Sequence, residues 1–92
     1  MIILDFGSGE TCKNEFSYVR RMIDSIPKTY KEVVIKWQMF TKIPPLLPLD
    51  HWIYIFAKEY AAGRGFKTAS SVFDEQSLDF VLENDPAFVK IA

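Results

Sequence analysis

The sequence predicts an α/β fold with a parallel sheet, and three observations support this. Short runs of β-branched and aromatic residues alternate with segments whose apolar residues recur every three or four positions. Capping and turn residues separate these segments, so that each strand connects to the next through a helix. The length of 92 residues suits one small domain. Because parallel strands require helical crossovers, the order β-α-β-α-β-α-β indicates a parallel sheet.

The first predicted strand covers residues 2–6 and the first predicted helix covers residues 15–26. The apolar run "IILDF" ends in the turn-prone segment "GSGETCKN". Asn14 suits the N-cap of the helix, and Pro27 ends it because proline lacks the backbone N–H that a helix needs. The predicted buried stripe of this helix is Phe16, Val19, Ile23 and Ile26.

The second predicted strand covers residues 32–39, within "KEVVIKWQMF". The segment 41–49 follows and is predicted to be a loop, because its prolines fit neither a helix nor a central strand. We expect function to be associated with this long loop, because loops after strands often carry it. Asp50 suits the N-cap of a helix over residues 51–63, which glycines end. Its predicted core stripe is Trp52, Ile53, Phe56 and Tyr60.

The third and fourth strands complete the series. Residues 67–73 form the third predicted strand, and Asp74 suits the N-cap of a helix over residues 75–83. Residues 87–91, within "AFVKIA", form the fourth. The predicted buried stripe of the last helix is Leu78, Val81 and Leu82.

Composition narrows the class of protein. An apolar fraction of 49% and a charged fraction of 25% are typical of a soluble globular domain. The net charge of -1, without a basic stripe, argues against nucleic acid, and no apolar run approaches the roughly 20 residues that cross a bilayer. The N-terminus lacks the basic segment of a signal peptide, and the single Cys12 cannot form an internal disulfide. We therefore expect a cytoplasmic protein with no nucleic-acid or membrane partner.

The second strand contains polar residues within an otherwise apolar run. Burying the Lys36 ammonium and the Gln38 amide costs free energy unless each is paired. Side chains alternate along a strand, so both lie on one face, and the opposite face, which includes Trp37, is apolar. We expect the apolar face to pack under helices.

Polar residues recur near the carboxyl ends of the other strands. Asp5 lies in the first strand and Lys90 in the fourth, while the third contributes Ser70 or Ser71, between which alternation does not decide. A sheet covered by helices on one face and polar at its carboxyl ends on the other is typical of a (β/α)8 barrel. An open doubly wound sheet needs two apolar faces. These features favour a TIM-type (β/α) barrel over an open sheet.

Lys36, Lys90 and Asp5 together suit an anionic substrate, with the carboxylate holding a lysine or transferring a proton. The alternative is that they form buried ion pairs or partly solvated strand ends, and the residues alone support both interpretations equally. His51 is expected at the surface rather than on a metal, and Cys12 is expected to be a partly exposed, unreactive thiol. "GSGE" lacks the spacing of a nucleotide loop.

Four segments, in order along the whole chain, carry a family resemblance: "LDFGSG", "EVVIKWQMF", "TASSVFDEQSLDFV" and "DPAFVKIA". Their acidic strand end, Lys-x-Gln pattern, serine-rich third strand and Pro-Ala-x-x-Lys-Ile pattern resemble the N-terminal part of the N-acetylneuraminate (sialic acid) synthase family. The resemblance implies a (β/α)8 barrel that condenses phosphoenolpyruvate with an N-acylated mannosamine.

The resemblance also implies roles for the residues. Asp5 takes the place of a carboxylate near the sugar and the metal, and Lys36 and Gln38 face the reacting centre. Lys90 binds phosphoenolpyruvate, with Ser70 or Ser71 nearby. The full-length family enzyme uses a divalent metal, Mn or Mg, to polarise the sugar aldehyde. We identify no metal ligand in this chain.

A complete barrel takes about 250 residues, so the resemblance covers less than half of one. The predicted fold is therefore a β-α-β-α-β-α-β unit that forms the first half of a TIM-type barrel. The family's two metal-binding histidines and later phosphate ligands have no counterpart here, so we expect the chain to be inactive alone. The first and fourth strands are expected to be unpaired edges, which favour self-association. Two alternatives stay open: a non-catalytic anion-binding or interaction module, and another phosphoenolpyruvate-condensing synthase of 3-deoxy sugar acids.

Overall fold

Four parallel strands form the centre of the fold in the computed structural model, which describes all of residues 1–92. In spatial order they are β1 (Ile2–Gly7), β2 (Val33–Met39), β3 (Lys67–Val72) and β4 (Val89–Ile91). The predicted α/β class and parallel sheet are confirmed. Spatial order equals chain order, whereas a doubly wound sheet reverses direction at a switch point. This arrangement is compatible with half of a barrel, and β1 and β4 are its two edges.

Four helices connect the strands: α1 (Gly9–Cys12), α2 (Phe16–Asp24), α3 (His51–Gly63) and α4 (Glu75–Glu83). The last three lie where the periodicity predicts helices. α1 lies within the segment predicted to be only a turn. The Ser8 hydroxyl caps it by accepting from the Glu10 N–H, and Lys13, in the left-handed region, ends it after one turn. A single turn is too short to produce an apolar period, so its sequence carries no helical signal. No helix is long and apolar enough to cross a membrane.

Two of the three predicted N-caps are confirmed. The Asp50 carboxylate accepts from the Trp52 N–H at 2.9 Å, and the Asp74 carboxylate accepts from the Ser77 N–H at 2.8 Å. The third is wrong, because the N-cap position of α2 is held by Glu15, whose side chain forms no capping bond.

The apolar face of the sheet packs against the helices, as predicted. Trp37 is fully buried in the middle of β2, and the Phe6 ring meets it edge-on at 5.5 Å. Each fully buried side chain of this kind contributes roughly 1.5–3 kcal/mol or more of transfer free energy. The core comprises Cys12, Val19, Ile23, Ile26, Val33, Ile35, Trp37, Met39, Leu49, Ile53, Tyr54, Ala57, Ala61, Val72 and Val81.

The predicted helix stripes are displaced around their axes in places. Trp52 was expected in the core, but it is 74% exposed. α3 instead buries Ile53, Tyr54, Ala57 and Ala61. Phe16 and Leu82, at the ends of the other predicted stripes, are likewise exposed. Periodicity identifies the buried face of a helix only to within about one residue. The packing of the helix on the sheet decides which residues lie at the middle of that face.

Candidate functional site

Asp5, Lys36 and Gln38 meet on the face of the sheet opposite the helices, and we call them the Asp5 cluster. Asp5 and Lys36 are register partners on β1 and β2. The Lys36 Nζ lies 3.6 Å from the Asp5 Oδ2. The Gln38 Nε2 donates to both carboxylate oxygens, at 3.3 and 3.4 Å. Lys36 and Gln38 share one face, as alternation along the strand predicts, and Asp5 lies on the same face.

Exposure differs sharply within the cluster. The Lys36 side chain is 15% exposed and the Asp5 side chain is 45% exposed. A mostly buried ammonium loses hydration, and the neighbouring carboxylate offsets that loss. Asp5 keeps access to solvent because β1 is an edge strand. The ion pair that the sequence left open as an alternative interpretation is therefore present, and its carboxylate, which also accepts from the Gly7 N–H at 2.9 Å, is partly exposed.

Ser71 and Lys90 extend this polar face across β3 and β4. Gln38 pairs with Ser71, and Ser71 pairs with Lys90, so the three lie in one row. Strands are about 4.8 Å apart, which places the Lys90 Cα roughly 10 Å from that of Gln38. Ser71 is buried, whereas Lys90 is exposed and forms no ion pair. The row therefore ends in an exposed lysine without a carboxylate partner.

Ser70 lies on the other side of the sheet and cannot accompany Lys90. It pairs with Trp37 in the register, is fully buried, and its hydroxyl donates to the Tyr54 Oη at 3.3 Å. Burial raises the pKa of Tyr54, and the hydrogen bond with Ser70 opposes that shift. Of the two serines that alternation left undecided, Ser71 belongs to the polar face. Ser70 lies in the core, where it donates a hydrogen bond to the buried Tyr54 hydroxyl.

The proline-rich loop after β2 is held against α1. The Glu10 carboxylate accepts from the Leu47 N–H at 2.5 Å. A Cβ on Gly9 would lie 2.4 Å from the Pro48 carbonyl oxygen, so only glycine permits this approach. The loop therefore has a defined position beside the carboxyl end of the sheet.

Asn14 ties the same loop to the start of α3. Its Nδ2 donates to the Pro48 carbonyl at 3.0 Å, and its Oδ1 accepts from the Asp50 N–H at 2.8 Å. This role replaces the predicted N-cap, and Asn14 takes the left-handed conformation with φ of 50°. Sequence analysis missed the contributions of Gly9, Glu10 and Asn14 because their partners lie far along the chain. The glycines of "GSGE" were the only signal of a close approach.

Cys12 was expected to be partly exposed, but it is fully buried. Its Sγ lies 3.9 Å from the Ser8 carbonyl oxygen, and burial raises the thiol pKa. Such a thiol stays protonated and unreactive. His51 is at the surface, as expected, and stacks on the Phe80 ring with 3.8 Å between centroids.

Open clefts lie at the other end of the sheet. Three of them, of about 290, 340 and 460 Å³, surround the amino-terminal ends of the strands. Neither the Asp5 cluster nor Lys90 lines any of them. In this chain the polar face is thus an open surface and not an enclosed pocket.

The residues present do not fit the metal that the resemblance implies. Nowhere in the chain do three His, Cys, Asp or Glu side chains lie close enough together to hold an ion. Asp5, the acidic member of the cluster, already faces the Lys36 ammonium.

Comparisons of the chain with protein-family models, with curated proteins and with solved structures found no match. The resemblance to sialic acid synthases accordingly depends on the quoted segments alone, and the activity that it implies is a proposal.

Proposed function

We propose that the polar face at the carboxyl ends of the strands binds a small anion of the phosphoenolpyruvate type. One observation supports this most. The three side chains of the Asp5 cluster contact one another, and Ser71 and Lys90 lie on the same face of the sheet, in register with Gln38. Parallel sheets of this class bind ligands outside the carboxyl ends of their strands.

Each residue has a distinct part in this proposal. Lys90 supplies an exposed point charge that attracts a carboxylate or phosphate group. The neighbouring Ser71 hydroxyl donates a hydrogen bond to the same anion. Lys36 is held in place by Asp5, so a bound anion shares its ammonium with that carboxylate.

The finer proposal is an N-acylneuraminate synthase-type condensation. C3 of phosphoenolpyruvate attacks the aldehyde carbon of the open-chain N-acylmannosamine, water adds at C2, and inorganic phosphate leaves. In that reaction Asp5, whose carboxylate is half exposed, contacts the sugar, while Lys36 and Gln38 face the reacting atoms. The family resemblance supports this assignment, and turnover needs further groups from outside these 92 residues.

A titration with phosphoenolpyruvate, followed by amide chemical shifts, tests the proposal. We expect saturable shifts on β3 and β4, and about tenfold weaker binding by Lys90→Ala, because a hydrogen bond to a charged group contributes about 1.5 kcal/mol or more. The matched control is Lys28→Ala, an exposed lysine in the loop before β2. Unsaturable binding, or equal weakening by both variants, would contradict the proposal.

A second candidate is a non-catalytic anion-binding module. The mostly buried Lys36 ammonium, already paired with Asp5, favours it, because such a pair stabilises a sheet without chemistry. Adding N-acetylmannosamine to the phosphoenolpyruvate-saturated chain separates the two. New shifts around Asp5 support the condensation site, and their absence supports the module.

A further inference from the structure

The sheet has two free edges that match one another. The outer side of β1 and the outer side of β4 have no neighbouring strand. Unpaired edges of parallel strands present backbone N–H and C=O groups to a further strand. Because all four strands are parallel, β4 of one copy has the direction needed to extend a sheet from β1 of another copy.

The two edges also carry opposite charges on the same face. Asp5 lies on β1 with its carboxylate half exposed, and Lys90 lies on β4 without an ion pair. Lys90 shares the face of the Asp5 cluster through the row that contains Gln38 and Ser71. Opposite charges on neighbouring strands stabilise their pairing. Each edge also exposes an apolar side chain, but these lie on opposite faces of the sheet: Ile3 on the face of Asp5 and Ile91 on the helix-covered face.

We propose that a second copy of this chain covers both edges. β4 of each copy pairs in parallel with β1 of the other, and the two contacts close a two-fold ring. Two such sheets supply eight strands, the number at which a closed barrel is filled by its own side chains. The helix-free faces become the interior, and pairing removes every open edge.

Closure makes the anion site a shared one. Each of the two sites then contains the Asp5 cluster of one copy and Lys90 of the partner copy. The inference rests on the same polar face as the proposed function, but it requires no phosphoenolpyruvate binding.

Charge exchange between the edges tests the inference in the 92-residue chain. Sedimentation equilibrium should show a dimer for the unmodified chain. Asp5→Lys or Lys90→Asp places like charges at both seams, so each variant should dissociate at least about tenfold more readily. An equal mixture of the two variants restores opposite charges at both seams, and it should form a heterodimer that native mass spectrometry detects.

One control variant and one independent test variant make the outcome decisive. Lys28→Asp makes the same change of charge as Lys90→Asp, but at a position remote from both sheet edges, so it should leave the dimer unchanged. Lys90→Asp removes no ion pair, so it remains informative if Asp5→Lys fails to fold. A monomer, an open-ended polymer, or a dimer indifferent to both exchanges overturns the inference. A dimer without phosphoenolpyruvate binding contradicts only the proposed function, and a monomer that binds it contradicts only the dimer.

Discussion

The Asp5 carboxylate accepts hydrogen bonds from the Gln38 side chain and the Gly7 N–H, and it forms an ion pair with Lys36. The Lys36 side chain is mostly buried and its ammonium pairs with no other carboxylate, whereas the Asp5 side chain is 45% exposed. Removing the Asp5 carboxylate should therefore lower the free energy of unfolding more than the partial exposure of Asp5 alone suggests. The reason is that the mostly buried Lys36 would be left without a counter-charge.

Asp5→Asn keeps the shape of the side chain and removes its charge. We expect the free energy of unfolding to fall by about 1 kcal/mol, the upper end of the range for partly exposed pairs. Urea denaturation measures the change, with Asp79→Asn on the exposed side of α4 as the control. In a Lys36→Met background the cost of Asp5→Asn should largely vanish, and an equal cost there would contradict the pairing.

Cys12 supplies a second test at this scale. Burial raises the thiol pKa, so less thiolate is present at any given pH than in a free cysteine. We expect a disulfide reagent to label the native chain at least about a hundredfold more slowly than the chain in urea, because labelling requires opening of the fold. Equal rates in both conditions would show that the thiol is accessible.

At the scale of elements, Asp74 joins two parts of the fold. One carboxylate oxygen caps α4, and the other accepts from the Thr41 N–H at 2.7 Å and from its hydroxyl at 3.1 Å. Thr41, two residues after the end of β2, is thereby fixed to the start of α4. This carboxylate contributes both as a helix cap and as an anchor for the loop.

Asp74→Ala should lower the free energy of unfolding by about 1–2 kcal/mol at neutral pH, the range for lost N-caps. Desolvation raises the pKa of Asp74, but the hydrogen bonds from Ser77 and Thr41 together outweigh it and hold the pKa below the usual 3.8. A carboxyl with a lowered folded-state pKa stabilises above its unfolded-state pKa and loses that contribution as pH falls through the folded value.

The stability difference between the unmodified chain and Asp74→Ala should therefore shrink as pH falls from 5 to below the ordinary value of 3.8. Urea midpoints at several pH values measure it. A difference that stays constant over this range would show that ionisation of Asp74 contributes nothing.

Gly9 tests the contact between α1 and the proline-rich loop. Gly9→Ala places a methyl group 2.4 Å from a backbone oxygen, which cannot move without shifting the loop. We expect a loss of about 1–3 kcal/mol, typical of overpacking. Gly63→Ala is the matched control, since a Cβ there meets nothing within 4 Å, and it should stabilise α3 by up to about 1 kcal/mol. Equal effects at both glycines would contradict the contact.

At the scale of the whole molecule, the inner and outer strands differ in how they are protected. β2 and β3 each have a strand on both sides, whereas β1 and β4 have one. Amide hydrogen exchange should therefore be slowest in β2 and β3. If two copies pair, the outward N–H groups of β1 and β4 should gain protection as the protein concentration rises. Protection independent of concentration would argue for a monomer.

The order of the strands and of the three longer helices, two of three caps and the shared face of Asp5, Lys36 and Gln38 could be predicted from sequence, whereas the single turn of α1 could not. Each depends on local rules: alternation along a strand, periodicity along a helix, and a carboxylate placed just before a first turn. Such patterns repeat within a few residues and need no knowledge of distant neighbours.

The remaining features depended on residues far apart in the chain. The pairing of β2 with β3 placed Ser71, and not Ser70, beside Lys90, because a one-residue step along a strand reverses the face. The same long-range packing buried Cys12, exposed Trp52 and turned Asn14 from a helix cap into an anchor for the loop. Local sequence thus determined which elements form and which face of each is polar. Only the tertiary structure decided which polar side chains meet, because register and helix rotation depend on contacts that no local pattern encodes.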